Sequence, residues 1–403
     1  MKCLVIAYAF PPIANAEAFV GGKTIIGLAK MGVKVTVITI NPFKSGLNID
    51  NTFNQQISEY VDKIVHIELS DLEYKLLKAF PLLTNIALQY PDKFVLYNKY
   101  TLNRIKKINL DNYDVLITRS QWHSAHLVGL TIKEKYPNIP WIAQFSDPWV
   151  DNPYNLRMPF SHYFASKWEQ KIIELADTIT YTSKETIDLV MQKYDSKYIS
   201  KVYYLSHCFD LELYKQKIKT NKTKYVIRCL GAFYGNRTPK PFFKAIEYIA
   251  GYKEELLDDV LIEFYGIDDK RKMLIKNYPL AKKFIKLFSG VNYSESLNKM
   301  QTADCLVSID APLKFSPFFP SKLVDYMGSN RCIFSISPNG SANNIIDYVG
   351  GITADISNLD DIIQKMIYIL EVRPNALKNK KYLEFEQSKV SGNFYKLLER
   401  IIK

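Results

Sequence analysis

MKCLVIAYAFPPIANA, Met1–Ala16, admits two readings. A lysine, an apolar run and an Ala-x-Ala resemble a secretory leader. The apolar run Cys3–Phe10 is short, however, and Pro11-Pro12 ends it. One helix-length segment later comes a second apolar run, VKVTVITI (Val33–Ile40). Strand, helix, strand is the better reading, and it decides the fold. A continuous apolar run suits a strand buried on both faces, as in a parallel sheet covered by helices.

The same alternation continues. DKIVHIEL (Asp62–Leu69), YDVLITRS (Tyr113–Ser120), WIAQFSD (Trp141–Asp147), DTITYTS (Asp177–Ser183) and KVYYLS (Lys201–Ser206) are strand candidates separated by helical material. A second series starts near residue 225: YVIRCLGAF, VLIEFYG, FIKLFSG, CLVSID, CIFSIS and GGITAD. Strands alternating with helices predict an α/β protein with parallel sheets. The 403 residues exceed one ordinary core, and two doubly wound domains facing a central cleft are expected. The expected division is an N-terminal domain over 1–210, a basic linker over 211–224, a C-terminal domain over 225–385, and a final helix over 386–403 that crosses back to the first domain.

Net charge is +12, from 53 basic and 41 acidic residues, which favours an anionic partner. From Lys215 to Lys240 there are eight basic residues and no acid, either a solvated linker or one wall of a cleft. No recognised nucleic-acid motif appears, so nucleic acid is not expected as a partner. The five cysteines are scattered without a CxxC pair, so neither a disulfide framework nor a zinc site is indicated. Their use fits a reducing, cytoplasmic compartment. No run of about 18 apolar residues occurs, so no membrane span is expected.

Ligands of open α/β sheets bind beyond the carboxyl ends of the strands, and the chemistry-bearing residues cluster there. After the first strand there is no GxGxxG, which argues against a dehydrogenase-type dinucleotide site. After YDVLITRS, His123 and His126 flank a helix start, as packed histidines or as contacts to a sugar or phosphate. No third ligand lies nearby for zinc. Asp147 and Trp149 follow WIAQFS, either capping the next segment or meeting a polyol acceptor. After YVIRCL, Gly231 ends the strand and Arg237 opens a helix, a combination suited to phosphate. In FPSKLVDYMG (Phe319–Gly328), Pro320 and Ser321 start a helix and Gly328 ends it. Lys322 and Asp325 share one face, either as a surface ion pair or as a site for an anion plus a hydroxyl-bearing group.

Taken together, YAFPP, Pro91-Asp92, Ser120–Leu127 (SQWHSAHL), WIAQFSDPW, ADTITYTS, HCFD, GAFYGNR, SGVNYSESLNKMQTADCLVSID and FPSKLVDYMGSNRCIFSIS resemble, in order and spacing, the GT-B glycosyltransferases of the retaining family 4 type that build bacterial surface polysaccharides. The resemblance implies a nucleoside diphosphate sugar as donor, a UDP-sugar being expected, with no cofactor and no metal. Gly231, Arg237, Ser321 and Lys322 would bind the diphosphate and Asp325 the ribose. Arg237 and Lys322 would also act in catalysis, together with His126 and Asp147. His123, Ser120 and Trp149 would meet a glycan or lipid-linked acceptor. Three departures stand out: Pro317 and Asp325 occupy the positions of the family's paired glutamates, Ala14-Asn15 those of its glycine pair, and Ala232 that of an arginine. A catalytically inactive nucleotide-binding or scaffold protein is the competing reading. Finally, Lys93–Asn109 interleaves Lys93, Lys99, Arg104, Lys106 and Lys107 with Phe94, Tyr97 and Tyr100. This stretch is either a solvated helix with an apolar inner face or a peripheral contact with the anionic inner face of the membrane.

Overall fold

The computed structural model describes residues 1–79, 91–154, 159–214 and 223–402. The chain divides into two compact units, Met1–His207 with Gln387–Lys403, and Cys208–Glu386.

The first unit is built on a seven-stranded sheet. Its strands are β1 (Lys2–Ile6), β2 (Lys34–Ile40), β3 (Lys63–Ile67), β4 (Val115–Arg119), β5 (Trp141–Gln144), β6 (Thr178–Tyr181) and β7 (Val202–Tyr204). All pair in parallel, in the order β3-β2-β1-β4-β5-β6-β7. Every sequence-read run of the first series overlaps one of them. Leu4, Val5, Ile6, Val37, Ile38 and Ile117 are fully buried, so both faces of the central strands are covered.

The helix Ala16–Lys30 returns the chain from β1 to β2. Asn15 caps it by accepting from the Ala18 amide at 2.7 Å. The C-terminal helix Gln387–Ile402 packs on it. Gly27 makes this docking possible: a Cβ there would stand 2.1 Å from Ser391 Oγ and 2.8 Å from Gln387 Cγ. Gln387 completes the join, its Nε2 donating to the Lys23 carbonyl at 2.7 Å and its Oε1 accepting from Lys30 Nζ at 3.1 Å. Gly27→Ala is expected to destabilise this unit by about 1–3 kcal/mol through overpacking. Ser391→Gly in the same chain should recover part of the loss, and urea unfolding of the single and double variants measures both.

The second unit has a six-stranded sheet. Its strands are β8 (Tyr225–Leu230), β9 (Val260–Tyr265), β10 (Ile285–Phe288), β11 (Cys305–Ile309), β12 (Cys332–Ser337) and β13 (Ile352–Asp355). Again all are parallel, in the order β10-β9-β8-β11-β12-β13. The five cysteines are free and buried. Burial raises the Cys3 thiol to about 12 and the Cys229 thiol to about 11, so they pack as small hydrophobes.

Of the segment read as a linker, residues 215–222 lie outside the described residues. Leu211–Tyr214 forms a short turn, and Tyr214 packs within the second unit. Lys93–Asn109 shows the solvated-helix arrangement: Phe94 and Tyr97 are buried in the first unit's core, while Lys93, Lys99, Arg104, Lys106 and Lys107 are exposed. Tyr100 donates to Glu73 at 2.5 Å and Lys99 pairs with the same carboxylate at 2.8 Å. Among the described residues, no helix is long and apolar enough to cross a membrane.

Candidate functional site

The two sheets share one topological feature. In the second unit β8 and β11 are neighbours, and the chain winds away from them in opposite directions. A crevice opens beyond the carboxyl ends of such a pair. β8 leads into Gly231–Arg237, and β11 leads into Asp310 and on to the helix Lys322–Gly328.

Gly231 takes a φ of +106°, which glycine adopts without the Cβ clash that other residues meet. A Cβ there would lie 3.8 Å from Lys322 Cδ, so the Lys322 side chain runs past this turn. The Arg237 Nε donates to Asp310 Oδ1 at 2.8 Å. Asp310 is buried and also accepts from the Ala311 amide at 2.9 Å and from Ser316 Oγ at 3.0 Å. The guanidinium rests 4.5 Å from the centre of the Tyr234 ring. Arg271 braces the turn by donating to the carbonyls of Arg237 and Gly235.

Lys322 stands in the first turn of its helix, half-buried. Among the described residues its ammonium has no hydrogen-bond or ion-pair partner. Enclosure lowers its pKa, Arg237 lowers it further, and Cys229 and Asp310 act the other way. The ion-pair reading of Lys322 with Asp325 is therefore corrected. Asp325 instead accepts at Oδ1 from the Tyr293 hydroxyl at 2.8 Å and from Tyr214 at 3.4 Å. Tyr214 also donates to the Asp325 carbonyl at 3.0 Å and lies against Gly328, where a Cβ would come within 2.5 Å of its ring. Ser321 occupies the N-cap position without a side-chain cap bond. Among the described residues no cluster of His, Cys, Asp and Glu suits a metal ion.

In the first unit the residues read as acceptor-facing divide. His126 is fully buried, and its Nδ1 lies 2.7 Å from Thr118 Oγ1, which also accepts from the Trp141 indole at 2.9 Å. Burial holds its pKa down at about 3, with Arg119 adding to the effect. His126 is thus a neutral, buried histidine. Trp149 is fully buried and stacks on His123 at 4.7 Å, and His123 is itself buried. Ser120 is fully buried, its Oγ accepting from the Ser146 amide at 3.3 Å. These three line the interior of the unit as placed, not its surface. Asp147 keeps appreciable exposure and accepts from Gln121 Nε2 at 3.1 Å.

Sequence reasoning missed Asp310, Tyr293, Tyr214 and Glu17. An acid directly after the apolar run CLVSI was the available signal for Asp310. Glu17 reads as an ordinary acid of a helix's first turn, and nothing local shows what its carboxylate meets.

No family model and no curated protein matches the chain. Solved structures do. A sucrose-phosphate synthase from Thermosynechococcus elongatus is similar with a TM-score of 0.69 at 14% identity, over 99% of this chain and 98% of that one. A glycosyltransferase from Rickettsia africae gives 0.63 at 14% identity, over 100% and 98%. Anabaena HepE, in complex with UDP and glucose, gives 0.63 at 12% identity, over 99% and 100%. With its two parallel, doubly wound sheets and flanking helices, the chain has the two-domain Rossmann-like GT-B fold.

Proposed function

We propose that the protein is a glycosyltransferase that moves a sugar from a nucleoside diphosphate sugar to a hydroxyl of a glycan or lipid-linked acceptor. The observation that supports this most is the Lys322 ammonium, enclosed at the switch point of the second unit and lacking a carboxylate of its own. An enclosed, unpaired cation beside an arginine is poised for an anion. The complex of HepE with UDP and glucose favours a uridine nucleotide on this fold.

In this reading the diphosphate lies across Lys322, Arg237 and the Gly231 turn. As the glycosidic bond breaks, the leaving diphosphate gains charge, and fixed cations stabilise that charge without reorganising. Lys322 and Arg237 supply it, so the reaction needs no metal. Asp310 anchors Arg237 by accepting from its Nε. Asp325, oriented by Tyr293, takes a ribose hydroxyl. Retention of configuration and a role in surface polysaccharide synthesis belong to the same proposal, resting on the sequence resemblance. The acceptor approaches the first unit at Asp147.

Calorimetric binding of UDP, GDP, ADP and CMP to the wild type, Lys322→Met and Asp325→Asn tests the donor site. Selective binding of one nucleotide, weakened in both variants, supports it. Absence of binding by all four removes it. Selective binding without sugar transfer over a broad donor and acceptor panel leaves the nucleotide-binding scaffold in its place.

Attachment to the inner membrane face is the remaining part of the proposal. With Phe94 and Tyr97 turned inward, attraction rests on charge from Lys93, Arg104, Lys106 and Lys107. At about 1 kcal/mol per basic residue near an anionic surface, four suffice for weak, salt-sensitive binding. Flotation with anionic vesicles at low salt, lost at high salt and with neutral vesicles, is the expected result. Failure to float with either lipid excludes the contact.

A further inference from the structure

The first unit has a switch point of its own, between β1 and β4. Three chain segments meet beyond its strand ends. Glu17 stands in the first turn of the helix after β1, Arg119 closes β4, and Ser146 follows β5. One Glu17 oxygen accepts from Arg119 Nη2 at 2.9 Å, and the other accepts from Ser146 Oγ at 2.6 Å. Arg119 is buried and gives Nη1 to Gln144 Oε1 at 2.8 Å. Gly21 lets it pass, since a Cβ there would stand 3.1 Å from Nε. The Glu17 side chain retains 13% exposure, so this buried scaffold reaches the surface beside Asp147.

Ser146 has a second acceptor within reach. Its hydroxyl lies 3.2 Å from the Ser120 carbonyl as well as 2.6 Å from Glu17. An ionised Glu17 holds the hydroxyl, whereas a protonated Glu17 has one fewer acceptor site and releases it towards Ser120. Ser146 precedes Asp147 directly, so its hydroxyl links Glu17 to the turn that carries Asp147.

We propose that Glu17 is a positioning residue for a sugar hydroxyl at Asp147, acting through Ser146 and anchored by Arg119. The proposal rests on the acceptor side of the glycosyltransferase reading and adds to it a residue and a proton linkage. The charged groups that face Glu17 are Arg119 from β4 and Asp147 after β5. Burial raises its pKa to about 7, against the pull of Arg119 and Ser146, and Asp147 raises it further. The hydroxyl-holding form therefore prevails above neutrality.

The test is saturation-transfer NMR of the full chain with methyl glycosides of glucose, galactose and mannose from pH 6 to pH 8, with UDP affinity measured on the same samples. Wild-type glycoside binding is expected to strengthen by about tenfold across that range as Glu17 ionises. In Glu17→Gln and Ser146→Ala the pH dependence should vanish while UDP affinity stays unchanged. Ser146→Ala keeps the Glu17–Arg119 pair, so a loss there is not a folding failure. A pH profile that persists in both variants overturns the inference, and so does a wild type that binds UDP but no glycoside. Glycoside binding without UDP binding overturns the donor site and leaves this inference standing.

Discussion

At the proposed donor site, Lys322→Met is expected to weaken binding of the preferred nucleotide by at least about 30-fold, the effect of removing about 2–5 kcal/mol of enclosed charge-assisted contact. The same substitution is expected to leave the fold intact and to raise its stability. Without ligand, Lys322 is an enclosed ammonium with a lowered pKa and no counter-ion of its own, which costs the apo protein free energy. Methionine fills similar space without that cost. Affinity and stability moving in opposite directions is the signature of a functional cation, and a structural lysine would lose both. The pH dependence has a definite sign. The unfolded lysine titrates near its ordinary 10.5 and the folded one below it. Between those values the unfolded chain binds more protons, so wild-type stability rises with pH there, and the rise is absent in Lys322→Met. Calorimetry and urea unfolding against pH measure both effects. Equal affinity in the two proteins removes Lys322 from the donor site.

Asp310→Ala is expected to cost the second unit about 3–5 kcal/mol, because it strands a mostly buried guanidinium. The Arg237 side chain is 11% exposed and that of Asp310 1%. The Ser316 hydroxyl and the Ala311 amide lose their acceptor at the same time. Nucleotide affinity is expected to fall as well, since Arg237 Nε loses the carboxylate that it donates to. Removing both partners in Arg237→Met/Asp310→Ala should destabilise less than Asp310→Ala alone, the pattern expected of a stranded charge. The two units need not unfold together, so the readout is a probe within the second unit, such as hydrogen exchange of β8 and β11 amides. A loss within about 0.5 kcal/mol, as for an ordinary surface site, contradicts the anchoring role.

The architecture was legible because it is written locally. CLVIAYAF and VKVTVITI are apolar without alternation, and that pattern alone implies strands covered on both faces. Pro11-Pro12, Gly32 and the FPS before Lys322 punctuate the elements within a few residues of their true ends. Strand-end position likewise placed Arg237 and Lys322 beyond the carboxyl ends of the neighbouring central strands β8 and β11.

The partners of those residues were not legible. Arg237 meets Asp310 across 73 residues and Tyr214 meets Asp325 across 111. The burial of His126 and Trp149 was not legible for the same reason. Being near a strand end places a residue along the chain, but packing against Phe145, Thr118 and His123 placed these two side chains inward. Hydrophobic period and turn residues act over a few residues, so they dictate elements and sheet class. Which carboxylate meets which cation, as at Glu17 and Arg119, depends on how the sheet orders its strands. That order brings β1 beside β4 and β8 beside β11, and it is set by the collective burial of both sheets rather than by any one stretch of chain.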